Sequence, residues 1–156
     1  MTTMTRALLA ALVPITLAAG TSPAVAVADP QPVQPFVPGI NEDPDLSAAW
    51  QRWEAKDIDD YVITVRLSCF CAPSAGVRTV VRDDSTRRVT RDDRTLSAGR
   101  GWSVDELFAM IREESAEADS VTVDYTRRGV PASIAIDRDQ MIADEETYYS
   151  VTLSRL

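Results

Sequence analysis

Apolar positions along this chain of 156 residues repeat with two distinct periods. Between 43 and 56, Leu46, Ala49, Trp50 and Trp53 recur at i, i+3, i+4 and i+7, a spacing that lines one face of a helix. Asp43 and Pro44 ahead of them supply a cap and a first-turn residue. Between 103 and 118 the stripe returns as Val104, Leu107, Phe108 and Ile111, and Ser103 with Glu106 has capping-box spacing. The opposite face of this second helix carries Glu113, Glu114 and Glu117, as a solvated face does. After each helix the period drops to two. Tyr61, Ile63, Val65, Leu67 and Cys69 alternate with Val62, Thr64, Arg66 and Ser68, and Val121, Val123 and Tyr125 alternate with polar neighbours. Such alternation predicts half-buried strands.

Further short strands are predicted at 77–83 and 87–90, turning at Asp84-Ser85. Residues 127–131 read as a hairpin loop into a strand at 132–137, and a strand closes the chain with Tyr149, Val151 and Leu153 on one face. A shift of 58 residues places the first helix stripe on the second and Ile63, Val65 and Leu67 on Val121, Val123 and Tyr125. The predicted fold is α+β: two helices packed on one face of an antiparallel sheet of five to six strands, a pattern that admits an α-β-β pseudo-repeat. One domain spans 45–156, long enough for one core. Trp50, Trp53, Phe108 and Tyr125 are its large core candidates.

The first 44 residues read differently. Arg6, an apolar run from 7 to 19 and small residues in Ala-x-Ala spacing at Ala24, Ala26 and Ala28 have the layout of a secretory signal peptide over 1–28. Cleavage is expected after Ala28, or else after Ala26. Residues 29–44 are rich in proline and predict an extended, unpaired tether. These features imply a secreted chain with no membrane span after cleavage.

Charge and composition then narrow the function classes. The formal net charge is −8, and removing Arg6 leaves 15 basic residues against 24 acidic, or −9. A nucleic-acid binder would carry a net basic footprint instead. Histidine is absent, so no Ser-His-Asp or Cys-His arrangement and no His-ligated zinc site can form.

Three places remain as candidates. Cys69 and Cys71 are the only cysteines. A bond between them requires the strand to bend at Phe70, and a local disulfide, a redox-active or metal-binding dithiol, and intermolecular or free thiols are the alternatives. Asp137, Asp139, Asp144, Glu145 and Glu146 crowd carboxylates as a calcium loop can, without EF-hand spacing. A solvated acidic loop is the plainer reading. From 78 to 100, seven arginines meet four aspartates. Arg78, Arg82, Arg87 and Arg88 form a candidate patch for an acidic protein or a cell-envelope polymer, or else charge an edge against unwanted pairing.

Trp50 and Trp53, Tyr61, Cys69-x-Cys71, the stretch 77–83, the helix 103–111, the strand 121–125 with Gly129, Val130 and Pro131, and the stretch 143–151 occur in an order that resembles the uncharacterised family of bacterial secreted proteins and lipoproteins catalogued as domain of unknown function 6174. The sequence departs from it in lacking a lipidation cysteine, in Asp84-Ser85 at a turn where Gly is usual, and in Val130 where an aromatic residue is common. The resemblance implies a secreted single domain and assigns no reaction. A non-catalytic binding domain is therefore expected, with a small thiol-redox protein using Cys69 and Cys71 as the alternative.

Overall fold

The computed structural model describes residues 29–69, 75–142 and 146–156. Both helices start at the caps the sequence places. Helix α1 (Pro44–Glu54) opens on Asp43, whose Oδ1 accepts from the amides of Asp45 and Leu46, each at 2.9 Å. Helix α2 (Val104–Glu117) opens on a reciprocal pair: Ser103 Oγ accepts from the Glu106 amide at 3.0 Å, and Glu106 Oε2 accepts from the Ser103 amide at 2.6 Å. Each cap satisfies amides that the first turn leaves without partners, a contribution of about 1 kcal/mol.

The strands are β1 (Gln31–Pro32), β2 (Tyr61–Cys69), β3 (Val77–Arg82), β4 (Ser85–Arg91), β5 (Arg94–Leu96), β6 (Ser120–Tyr125), β7 (Pro131–Asp137) and β8 (Thr147–Arg155). They form one antiparallel sheet of eight strands in the order β1-β4-β3-β2-β8-β7-β6, with β5 also paired to β4. The α+β class stands, and the expected five to six strands are too few. Strands β1 and β5 have two and three residues, too short to show a period in the sequence. The element order is α1-β2-β3-β4 followed by α2-β6-β7-β8, so each half holds three main strands where the α-β-β pattern held two. The halves join where β2 pairs with β8, from Tyr61 opposite Arg155 to Cys69 opposite Thr147.

The β3–β4 turn lies at Asp83-Asp84, one residue earlier than expected, and β4–β5 turns at Asp92-Asp93. All four aspartates have positive φ, from 46° to 61°. A two-residue hairpin of type I′, whose twist matches the strands, needs positive φ at both central residues. Aspartate reaches that region more readily than most non-glycine residues, which is why no glycine marks either turn.

One core lies beneath both helices. Leu46, Ala49 and Trp53 of α1 and Val104, Leu107, Phe108 and Ile111 of α2 join Tyr61, Ile63, Val65, Val81, Ile134, Ile136 and Val151 of the sheet. Those sheet residues share one face by register, so both helices cover the same side. Tyr61 ties the two helices together. Its ring meets Trp53 edge-on at 5.5 Å between centroids, and its hydroxyl accepts from the Val104 amide at 3.3 Å. Trp53 and Phe108 are buried as expected, whereas Trp50 and Tyr125 are only partly buried at the margin. Gly129, at φ +91°, brings the β6–β7 loop against α1; a Cβ there would lie 2.0 Å from the Ala49 carbonyl oxygen.

The expectation of an unpaired chain over 29–44 does not hold. Gln31 and Pro32 pair with Thr86 and Ser85, and the Val33 amide donates to the Asp84 carbonyl at 2.8 Å. Phe36 is buried, with its ring centroid 5.5 Å from that of Phe108. Its amide donates to Asp105 Oδ1 at 2.8 Å, and the Arg112 guanidinium lies 4.0 Å over its ring. Proline lacks one donor but tolerates an edge strand, and one aromatic plug anchors what composition alone suggests is loose.

Candidate functional site

Among the described residues, two helices on one side leave the other side of the sheet without a covering layer. The residues that alternate with the core positions face outward there, and register arranges them in rows across the strands. One row is Thr90, Arg78, Thr64 and Thr152; the next is Arg88, Val80, Val62 and Ser154. A third is Arg66, Ser150, Ser133 and Asp124, and a fourth is Ser68, Tyr148, Ala135 and Thr122. Hydroxyls and guanidinium groups dominate this surface.

The arginine candidates divide. Arg78, Arg82 and Arg88 share the outward face and are exposed. Arg87 does not join them. Pairing shifts between Val80 and Val81, so Arg87 is the extra residue of a bulge. Its side chain folds onto the turn, where Nε donates to the Arg82 carbonyl and Nη2 to Asp83 Oδ2, each at 3.3 Å. Arg66, on β2, is the member that the sequence reading missed as part of a patch. Period two already placed it on the polar face, but only register shows it diagonal to Arg78. None of Arg66, Arg78, Arg82 and Arg88 forms an ion pair among the described residues, whose salt bridges are Arg87–Asp83, Arg112–Glu42 and Arg138–Glu114. Basic charge thus gathers on β2–β4, while Asp124 and Asp137 mark the β6–β7 side.

The acidic candidates also separate. Asp137 and Glu146 line one shallow hollow with Ser120, Thr122, Ala135 and Tyr148. Asp139 Oδ1 instead accepts from the Met141 amide at 2.9 Å. Asp144 and Glu145 lie outside the described residues. Among the described residues no group of three His, Cys, Asp or Glu side chains is placed to hold a metal ion. Tyr148, which the sequence reading passed over, donates to Glu146 Oε2 at 2.5 Å. That hydrogen bond, ahead of nearby negative charge, raises the Tyr148 phenol above its ordinary range.

Cys69 ends β2 opposite Thr147, and it is not a free thiol. Cys71 lies outside the described residues.

A second acidic group gathers at the far end of β2. Glu54, Asp57, Asp59, Asp84 and Asp105 surround a hollow that Tyr61 floors. Desolvation raises the Asp105 carboxyl above the usual carboxylate range, with Asp84 and Glu106 adding to it and the Phe36 amide opposing. Glu54 is raised for the same first reason, then by Asp105, Asp84 and Asp57. Burial likewise pushes the Tyr61 phenol up. Burial, with repulsion among these carboxylates added to it, makes this end a source of pH-dependent stability.

No helix among the described residues is long and apolar enough to cross a membrane. No curated protein and no solved structure matches the chain. A family model does match residues 45–155, from the first turn of α1 to the end of β8, and so covers both helices and every strand except β1. The chain belongs to that family, the family of unknown function DUF6174.

Proposed function

We propose that this chain is a secreted, non-catalytic binding domain that holds an anionic polymer against the open face of its sheet. The observation that carries the reading is the group Arg66, Arg78, Arg82 and Arg88: four exposed guanidinium groups that form no ion pair among the described residues, on a chain of net charge −8. An unneutralised basic row on an acidic protein favours an external anion over internal structure. Guanidinium groups bind phosphate and carboxylate in pairs of parallel hydrogen bonds. Protein interfaces usually centre on desolvated aromatic and apolar anchors. Between β2 and β4 the outward face offers only Val62 and Val80 amid arginines and hydroxyls, so a hydrated polymer suits it better than a folded partner.

The signal-peptide layout of residues 1–28 supports export, and export supports an oxidised cysteine pair. In this reading Cys69 and Cys71 form a local bond that closes the end of β2. Alkylation in denaturant without reductant should then add no mass to the secreted protein. A reduction potential in the glutathione range, rather than well below it, would instead favour thiol exchange as the chain's work.

Retention on an anionic resin tests the binding reading. The secreted protein should be held at low salt and released as salt rises, despite its net negative charge. Replacing Arg78 and Arg88 with serine should move elution to markedly lower salt. Flow-through of the unaltered protein at low salt would count against the proposal.

A further inference from the structure

The hollow beside Tyr148 carries chemistry that the arginine row does not. Tyr148 is 46 % exposed on the outward face of β8, an unusual setting for an aromatic ring on a polar sheet. Its hydroxyl is held by Glu146, which fixes where the ring stands. Ala135 is its cross-strand neighbour on β7, and Thr122 lies beyond on β6. The small alanine keeps the floor low beside the ring. Ser120 and Asp137 complete the rim. The hollow measures about 150 Å³, below the roughly 300 Å³ at which drug-sized sites begin. It has room for one ring.

We infer that this hollow is a subsite for one uncharged pyranose unit of an acidic glycan, a reading that rests on the polyanion proposal above and specifies the polymer. A pyranose has an apolar C–H face and a rim of hydroxyls. The C–H face stacks on the Tyr148 ring. The hydroxyls donate to the carboxylates of Asp137 and Glu146 and exchange hydrogen bonds with Ser120 and Thr122. Those two carboxylates repel any anion placed in the hollow. Arg66, however, is the diagonal neighbour of Tyr148 across the β2–β8 pair, a separation of about 7–8 Å. A polyanion charged at every unit would set one of its charges against Asp137 and Glu146. A chain in which acidic and uncharged sugars alternate puts its acid on Arg66 and its neutral ring on Tyr148.

Two probes separate this inference from the reading beneath it: a short hyaluronan oligosaccharide, which alternates uronate with N-acetylhexosamine, and polyphosphate, which has no sugar. The native protein should bind both. Tyr148→Ala should weaken the oligosaccharide roughly five- to tenfold, the scale of one lost stacking contact, and leave polyphosphate within about twofold. Ala135→Leu, which fills the floor while keeping the tyrosine, should give the same selective loss, and Tyr148→Phe should keep most of the affinity. Arg66→Ser should weaken both probes. Equal losses for both probes, or none for either, in Tyr148→Ala and Ala135→Leu would remove the subsite and leave the arginine row standing. Failure of the native protein to bind either probe would remove both.

Discussion

Single residues set the local costs of this fold, and several can be measured. Asp93 sits in the left-handed region at φ 61° and its side chain makes no hydrogen bond or ion pair among the described residues. Glycine takes that conformation freely and is favoured at the second position of such turns. Asp93→Gly should therefore stabilise the protein by about 0.5–1 kcal/mol in chemical denaturation. Gly129→Ala should do the opposite. Its φ of +91° and the Ala49 carbonyl 2.0 Å from the added Cβ leave no room without moving α1, so a loss of about 3 kcal/mol or more is expected. Trp53→Ala should cost about 3–5 kcal/mol, and Trp50→Ala clearly less, because Trp53 is 4 % exposed while Trp50 packs only at the margin. Equal losses at the two tryptophans would contradict this view of the core.

The raised carboxyl of Asp105 makes a pH prediction whose sign is fixed. A carboxyl whose folded pKa lies above its unfolded value holds its proton more tightly when folded. Its charged form therefore destabilises the protein at neutral pH, and that cost is relieved as pH falls through the raised folded value toward the ordinary 3.8. Asp105→Asn keeps an acceptor for the Phe36 amide and removes the charge. The variant should melt higher than the native protein near pH 7, with the difference shrinking as pH drops toward 4. A difference that grows on acidification would show that Asp105 acts as a favourable charge.

Elements show where the sequence is legible and where it is not. Both helices are readable because 3.6-residue stripes, an Asp43-Pro44 start and the Ser103–Glu106 box all agree. β2, β3 and the β6–β7 hairpin are readable because alternation persists for six residues or more. β1 and β5 are not, because pairing over two or three residues leaves no period and their partner is fixed by tertiary contact. The segment 29–44 hides its anchor for the same reason: five prolines outweigh one Phe36 in any compositional reading. The outward face is half legible. Period two assigns Arg66, Arg78 and Arg88 to one side of their strands, but only strand order sets them next to one another. Nothing in the sequence signals that Tyr148 and Asp137 meet, since they lie on separate strands. The anchoring role of the N-terminal segment can be measured directly. Phe36→Ala should cost about 3–5 kcal/mol if the ring is the plug that its burial indicates. A change within about 0.5 kcal/mol, the usual effect of a surface substitution, would show that the segment rides on the surface.

At the scale of the whole molecule, the asymmetry of the sheet links fold to function. One face is sealed by α1 and α2 and supplies stability. The other carries a basic side on β2–β4 and a small hollow on β6–β8. The acidic hollow near Tyr61 lies at one end of β2, away from the row Arg66, Ser150, Ser133 and Asp124. An acidic end and a basic face on one body would orient an approaching polyanion, an effect that fades as salt shortens the range of the field. If several guanidinium groups contact the polymer together, affinity should fall steeply with salt, and each Arg→Ser change among Arg66, Arg78 and Arg88 should lower the logarithmic salt slope by about 1. The most direct test of the central claim is an amide chemical-shift map of the protein titrated with polyphosphate. The account expects saturable shifts concentrated on β2, β3 and β4 around Arg66, Arg78 and Arg88, with α1 and α2 unmoved. Shifts confined to the helices or to the loops, or no shifts at low salt, would contradict it.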